Sequence, residues 1–239
     1  MPPIKKIAKN YIPKMKRQNL FYVAAIALTS ALATAQVNQT PVHSGGQITL
    51  MKEKSQAATG SMFTNDKFMP AKVSNNDKVV LARYNAYADN FEISDPQAGT
   101  TNILSMQNGV TITFNSTGES YSIQQYKTNK DEVKTGYLST VSDKPNVKIF
   151  KRERVFLQPE SFPASSYQTY KPAHYKKLDN EFYVKVKDQD ALYFSSKKEL
   201  SKIFPAKSKE ILDYIKKNKL DLEKESDLEQ LGTYLDGII

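Results

Sequence analysis

Few residues in this sequence could carry out acid–base or metal chemistry. The chain has two histidines, His43 and His174, and His174 has acidic neighbours at Asp179 and Glu181. A histidine held against a carboxylate and a hydroxyl is the arrangement that many hydrolases use, so His174 is the candidate for hydrolysis. Spacings typical of zinc or calcium sites, such as H-E-x-x-H or an acidic calcium loop, do not occur. The sequence therefore predicts no metal site.

Motifs of other catalytic classes are missing as well. The chain has no G-x-S-x-G elbow, no P-loop and no G-x-G-x-x-G turn. Cysteine is absent, which excludes thiol nucleophiles, disulfides, thiolate metal ligands and a lipid-bearing cysteine. The sequence predicts no catalytic residue and no cofactor, and it favours a binding or accessory role over enzymatic activity.

The N-terminal segment has the pattern of a secretory signal peptide. Lys16 and Arg17 precede an apolar run at 20–32, and the small residues Ala33 and Ala35 fit the pocket of a signal peptidase. A transmembrane anchor is the alternative, but this run is shorter than the ~20 apolar residues that span a bilayer. We expect cleavage directly after Ala35, which leaves a protein that is exported and not transmembrane.

Removing the predicted signal peptide, residues 1–35, changes the charge of the chain. This segment carries six basic residues and no acidic one, so its loss lowers the formal net charge from +9 to +3. Nucleic-acid binding then loses its main support, because such a role depends on a strongly basic surface. Met15 directly precedes the charged pair and is a candidate for the true first residue.

The rest of the sequence predicts an α+β fold. A polar lead-in at 36–61 precedes a domain at 62–195, in which short runs of Val, Ile, Thr, Tyr and Phe alternate with turn residues. This pattern is typical of a mainly antiparallel β-sheet, folded as a barrel or a sandwich. The apolar period becomes helical at 196–239, so we expect C-terminal helices packed on the β domain.

Local signals place the individual elements. Asn and Gly tolerate positive φ, so Asn108–Gly109 predicts a two-residue β-hairpin, and a second hairpin is predicted at 115–118. Ser196 and Ser226 each begin a capping box that opens a helix. Strands are expected at 68–73, 79–93, 102–107, 110–114, 120–126, 134–141, 147–157, 181–187 and 191–195, a long irregular loop at 158–179, and helices at 197–203, 208–218 and 227–236.

The stretch Val79–Ile93 is the longest run dense in strand-forming residues. Its even-numbered residues up to Ala88 form the better core face, and a change of phase after Asp89–Asn90 predicts a bulge or a turn there. The opposite face carries polar and aromatic side chains. If that face lines a concavity, its candidate ligand-binding residues are Arg83, Asn85 and Tyr87, and if it packs against other elements they are architectural.

A basic cluster and many tyrosines complete the list of candidate surfaces. The cluster of Lys148, Lys151, Arg152 and Arg154 could bind a polyanion, but Glu153 interrupts it, which favours a solvated strand edge. The chain has fourteen tyrosines and no tryptophan. Packing between strands explains the tyrosines, and a tyrosine-lined groove for a peptide or glycan is the alternative.

Two parts of the sequence support a resemblance to known proteins. The motifs are RYNAY at 83–87 with FEI at 91–93, and IKKNKL at 215–220 followed by Asp227–Leu228. In these motifs the chain resembles a group of uncharacterised exported proteins of Bacteroidota. The resemblance implies a location in the envelope of a bacterium with two membranes, and it implies no activity.

These observations lead to one expected function and two alternatives. We expect a non-enzymatic exported binding or accessory protein of the bacterial cell envelope, in the periplasm or associated with the outer membrane. Its partner would be an envelope protein or a small ligand. A hydrolase that acts on an envelope polymer, with His174 in its site, is one alternative, and a secreted surface or adhesin component is the other.

Overall fold

A computed structural model describes residues 56–76, 78–165 and 167–239. The predicted signal peptide and nearly all of the polar lead-in, including His43, lie outside the described residues. The strands are β1 (Thr59–Gly60), β2 (Met69–Val73), β3 (Val79–Asn85), β4 (Asn90–Asp95), β5 (Thr100–Ile103), β6 (Thr111–Phe114), β7 (Ser120–Lys127), β8 (Val133–Asp143), β9 (Val147–Arg152), β10 (Val155–Gln158), β11 (His174–Lys177), β12 (Glu181–Val186) and β13 (Ala191–Phe194). The helices are α1 (Lys197–Ile203), α2 (Ser208–Asn218) and α3 (Glu225–Ile238), with a 3₁₀ turn at Pro205–Lys207.

Ten strands form one sheet, in the order β13-β12-β9-β8-β7-β6-β2-β3-β4-β5. The neighbours in this order pair antiparallel, while β13 also pairs parallel with β7 through Ala191 and Leu192. This last pairing closes β7, β8, β9, β12 and β13 into a five-stranded barrel. Strands β2 to β6 extend from β7 as an open sheet. The predicted α+β fold, with a mainly antiparallel, barrel-like sheet before C-terminal helices, is confirmed.

The barrel interior is filled by one side chain from each of its five strands. These side chains form a single buried cluster of Tyr126, Leu138, Phe150, Tyr183 and Ala191. Side chains alternate between the two faces of a strand, so this cluster fixes which residues of each barrel strand point inward. Tyr126 and Tyr183 contact each other edge to face, with ring centroids 4.9 Å apart.

The open sheet has its own aromatic core on the opposite face of β7. Tyr84, Phe91, Phe114, Tyr121 and Tyr137 are each at most 2% exposed, and their ring centroids lie 5.0 to 6.3 Å apart. Such offset and edge-to-face pairs add about 0.5–1.5 kcal/mol each to the burial energy. Packing therefore accounts for most of the strand tyrosines, as predicted.

The stretch Val79–Ile93 is a β-hairpin, because the predicted break is a turn between β3 and β4. Asp89 occupies the left-handed region at φ 51°. Its Oδ1 accepts hydrogen bonds from the hydroxyl of Tyr84 at 2.7 Å and from the backbone N–H of Tyr137 at 3.2 Å. A Cβ at Gly136 would overlap the carboxylate of Asp89, so this close approach requires glycine.

The helices cover the outer face of the barrel. Leu228, Leu231 and Leu235 of α3 are fully buried against residues such as Ile149 of β9. Gly232 of α3 faces Ser142 of β8, and a Cβ there would lie 2.7 Å from the Cβ of Ser142. The predicted bounds of α1 and α2 are correct, and the hydroxyl of Ser196 caps α1 by accepting the Glu199 N–H at 3.2 Å.

Three local predictions are wrong, two of them because long-range strand pairing overrides the local pattern. Asn108–Gly109 forms a turn, but β5 pairs with β4, and β6 pairs with β2 and β7. The fully exposed β5 has no apolar face that would hold it against β6. The predicted strand at 147–157 divides into β9 and β10, which belong to different sheets. The predicted second capping box does not form, since α3 begins at Glu225 and Ser226 lies inside it.

A small second sheet, in the order β1-β11-β10, contains one strand, β11, that lies within the region predicted to be an irregular loop. Strand β11 pairs antiparallel with β10 and parallel with β1. Its apolar residue Tyr175 packs on the core of the open sheet. The loop prediction is therefore wrong for His174–Lys177. This strand is stabilised by one partly buried tyrosine and by pairing on both edges, and its own sequence contains no strand pattern.

Candidate functional site

The side chain of Arg83 of β3 is held by an ion pair and by contacts with aromatic rings. Its Nη2 lies 2.6 Å from Oε2 of Glu92, and its guanidinium stacks on the ring of Phe63 at 3.7 Å and near that of Phe68 at 4.4 Å. Nη1 also donates to the carbonyl of Asp66 at 3.1 Å. A planar guanidinium suits this combination of contacts. The segment before β2 thus covers the Arg83 side chain and fixes its position.

Asn85 and Tyr87 are also positioned by local structure. Asn85 is 5% exposed, and its Oδ1 accepts the Ala88 N–H at 2.9 Å, which stabilises the turn of the hairpin. Tyr87 lies in that turn, half exposed, with its ring edge to face on Tyr175 at 5.3 Å. Packing and local hydrogen bonds therefore account for each of the three candidate residues, as expected if they are architectural.

His174 lies on β11, where its side chain is exposed. Its Nδ1 is 2.9 Å from the hydroxyl of Thr59. Among the residues that the structure describes, no carboxylate lies within 4.0 Å of His174 to form an ion pair. The histidine, acid and hydroxyl that hydrolysis requires are therefore not assembled there.

Lys151 corrects the prediction of a solvated basic edge. Its side chain is 7% exposed, and its Nζ donates to Oε1 of Glu119 at 2.8 Å and to Oε1 of Glu225 at 2.9 Å, with Glu153 at 4.0 Å. Burial by itself would lower the pKa of Lys151, but the nearby carboxylates stabilise its charged form more strongly, so the pKa is raised. An amine that stays protonated is a poor nucleophile or base, so Lys151 is a structural cation.

Tyr121 and Glu153 belong to the same polar cluster. The hydroxyl of Tyr121 donates to Oε2 of Glu153 at 2.5 Å. Burial raises the pKa of Glu153, and it also raises that of Tyr121, whose hydroxyl sits among carboxylates. Since Lys151 compensates their charge, this cluster is a structural network that joins the sheet to the start of α3.

One end of the barrel is closed by a second ionic network. Arg152 and Arg154 both pair with the carboxylate of Glu181, and the hydroxyl of Tyr183 donates to Oε2 of Glu181 at 2.8 Å. The guanidinium of Arg152 also lies 5.3 Å from the ring centroid of Tyr126. Burial raises the pKa values of both tyrosines. The charged groups at this end therefore interact with one another and close the end of the barrel.

The opposite end of the barrel is open and polar, and we call it the barrel mouth. It opens into a cavity of about 430 Å³ that continues across the face of β6. Its side chains point inward, because they lie on the same face of each strand as the buried cluster of the barrel. The polar residues of the barrel strands that line this cavity are Ser120, Ser122 and Gln124 of β7, Thr140 and Asp143 of β8 and Lys148 of β9. We include Lys185 of β12 in the barrel mouth because its Nζ is hydrogen-bonded to Gln124 at the edge of the cavity.

Hydrogen bonds within the barrel mouth orient its polar groups. Nζ of Lys185 donates to Oε1 of Gln124 at 2.9 Å, and Nε2 of Gln124 donates to Oγ of Ser122 at 2.9 Å. Thr113 of β6 similarly donates to Oγ of Ser120 at 3.3 Å. Because both serine oxygens act as acceptors in these bonds, the serine hydroxyl protons remain available to a ligand.

The barrel mouth also contains a pair of like charges. Lys148 and Lys185 are direct partners in the β9–β12 register, so their Cβ atoms are about 5 Å apart and their charges destabilise the pairing. Asp143 lies 2.5 Å from Nζ of Lys148, but it is 63% exposed. Lys185 contacts the neutral amide of Gln124. The positive charges of the pair are therefore only partly compensated.

A larger groove, about 630 Å³, lies beside β12 and β13 and is a weaker candidate. Phe182 and Phe194 in its lining belong to the buried core beneath the helices, and its polar residues Asp179, Asn180, Ser195 and Glu223 lie in loops and turns. Packing therefore accounts for its apolar lining. The barrel mouth instead gathers polar and charged side chains on regular strands, where the hydrophobic core does not require them.

The sequence contains a weak signal for the barrel mouth. Ser120, Ser122 and Gln124 occur at alternate positions of a predicted strand and mark a polar face. That face would normally be assigned to solvent, because it reveals neither barrel closure nor the opposing lysines. The sequence therefore predicts candidate ligand-binding residues on β3 and none on β7.

Comparisons with known proteins give no further guide to the site. No family model, no curated protein and no solved structure matches the chain. Within the described residues, no group of three or more histidine, aspartate or glutamate side chains is arranged to hold a metal ion. None of the helices in the described part of the chain is both long and apolar enough to cross a membrane.

Proposed function

We propose that the protein is an exported, non-enzymatic binding protein of the bacterial cell envelope, and that it holds a small ligand in the barrel mouth. The signal-peptide pattern and the resemblance to exported proteins of Bacteroidota support the location. The observation that supports binding is the convergence of hydroxyl, amide and amine groups on one open end of a barrel that is packed elsewhere.

The chemistry of the barrel mouth favours binding over catalysis. Lys148 is the partner of Asp143, and Lys185 is bound to Gln124. The serine hydroxyls lie beside amide and hydroxyl groups, none of which is a general base. Rigid strands that present several hydrogen-bonding groups are suited to fixing the orientation of a polar ligand.

Retention of envelope solutes tests the proposed function. The purified protein is incubated with the small-solute fraction of a bacterial envelope extract, desalted and analysed by native mass spectrometry. We expect the wild type to retain a solute that Ser122→Phe, which fills the barrel mouth, does not. Thr101→Phe on the exposed strand β5 is the matched control. Equal retention by all three proteins, or retention by none, would refute binding at this site.

Cell fractionation tests the proposed location. We expect the protein in the periplasm or with the outer membrane of the producing bacterium, after loss of the segment up to Ala35. An N-terminal sequence that begins within the apolar run would refute the predicted cleavage site. Recovery from the medium alone would favour a secreted surface component.

A further inference from the structure

The two opposing lysines identify a chemical feature of the ligand. Lys148 and Lys185 face each other across β9 and β12 at the inner side of the barrel. Like charges directly opposite each other weaken a sheet, and a neutral residue at either position would avoid this cost. Violations of such local rules concentrate at functional sites, which directs attention to what would lie between the two amines.

The surroundings of the lysines leave positive charge in excess. The barrel mouth contains two lysines, Lys148 and Lys185, and one carboxylate, that of Asp143, so its formal net charge is one positive unit. Asp143 follows the β-bulge at Thr140–Ser142, near the end of β8, and its side chain is largely exposed. It therefore compensates Lys148 from the solvent side, while the partner of Lys185 among the described residues is the dipolar amide of Gln124.

We infer that the barrel mouth binds a small oxyanion, a carboxylate or phosphate group placed between Lys148 and Lys185. The hydroxyls of Ser120 and Ser122 would donate to the oxygens of the same ligand. A charged donor and neutral donors that converge on one oxyanion form stronger bonds than neutral pairs do. This inference rests on the proposed function and specifies the class of its ligand.

Size and position limit the ligand to a small solute. The cavity of about 430 Å³ is at the lower end of the range of small-molecule pockets. Tyr126, Phe150 and Tyr183 fill the barrel below it, so the anionic group can reach the level of the lysines and no deeper. The neutral part of the ligand would lie along the hydroxyls toward β6.

Titration with defined anions tests the inference. Inorganic phosphate and acetate are added to the ¹⁵N-labelled protein at constant ionic strength, and the amide resonances of β7, β9 and β12 are followed. We expect saturable shifts at Ser122 and Gln124 for at least one anion. Loss of a charge-assisted hydrogen bond should weaken that affinity about tenfold or more in Lys185→Met and in Lys148→Met.

Three controls make the result decisive. Lys209→Met, on the exposed face of α2, should bind the anion as the wild type does. Because removal of either lysine relieves repulsion, Lys185→Met should unfold at a temperature no lower than the wild type, which separates lost binding from lost folding. Methylammonium, a cation of similar size to acetate, should cause no saturable shift.

The inference is overturned if neither anion shifts these resonances, or if both lysine variants bind as tightly as the wild type. A neutral solute retained by the wild type and lost in Ser122→Phe would then preserve the proposed function while refuting the anionic class. Absence of both solute retention and anion binding would refute both proposals.

Discussion

Replacement of Lys151 by methionine should destabilise the protein far more than the same change at a neighbouring lysine. Methionine retains most of the apolar stem of the side chain, so the substitution mainly removes the charge. Nζ of Lys151 lies 2.8 Å from Oε1 of Glu119 and 2.9 Å from Oε1 of Glu225, and the Lys151 side chain is 7% exposed. Its loss leaves three nearby carboxylates without their cation.

The magnitude follows from burial and exposure. Breaking a fully buried ion pair costs about 3–5 kcal/mol, but Glu119 and Glu225 are 28% and 52% exposed, and water would partly solvate the released carboxylates. We therefore expect the free energy of unfolding to fall by about 2–3 kcal/mol, between the values for buried and surface pairs. Glu225 begins α3, so the first turn of that helix should also lose protection.

Lys148→Met on the same strand is the matched control. The ion pair of Lys148 with Asp143 is largely exposed, so this change should alter the free energy of unfolding by less than about 1 kcal/mol. Urea unfolding followed by circular dichroism measures both variants, and hydrogen exchange monitors the amides of α3. Equal stability of the two variants would refute the structural role assigned to Lys151.

Four further predictions test packing, charge and capping. Gly232→Ala should lower the unfolding free energy by about 1–2 kcal/mol, because overpacking against Ser142 outweighs the gain in helix propensity; adding Ser142→Gly should restore stability in urea unfolding. Burial raises the pKa of Glu153 above 4.5, so ionisation opposes folding, and the stability of the wild type relative to Glu153→Gln should rise as the pH falls through that pKa toward 4.5. An unchanged difference between pH 7 and pH 4.5 would contradict this. Arg83→Met should lower the thermal midpoint without altering solute retention, since Arg83 serves packing. Ser196→Ala should cost about 1 kcal/mol through loss of the cap of α1, a change that a two-state denaturant titration resolves.

The face of β3 that carries Arg83 shows why a correct local pattern does not reveal the surroundings of a strand. The alternation of β3 was predicted correctly, since Ala82 and Tyr84 are buried and Arg83 faces the other way. What covers that other face is Phe63, Phe68 and Tyr175. These residues lie 15 or more positions away, or come from β11, and a strand's own sequence does not report what packs on it.

The sequence by itself determined the α+β class, the bounds of α1 and α2, the turn at Asp89 and the hairpin that joins β6 to β7. These features depend on dihedral preferences, capping groups and apolar periods that neighbouring residues supply. Pairing within the sheet was decided by the tertiary structure. It separated β5 from β6, divided β9 from β10, buried Lys151, and closed the barrel through the contact of β13 with β7.

That closure also created the candidate site. Lys148 and Lys185 are far apart in the chain and oppose each other only because β9 pairs with β12 in one register. Register and closure depend on burial summed over many distant residues, and no local motif encodes either. The sequence therefore specified the strands that carry the site, while the tertiary structure brought its charged and polar groups together.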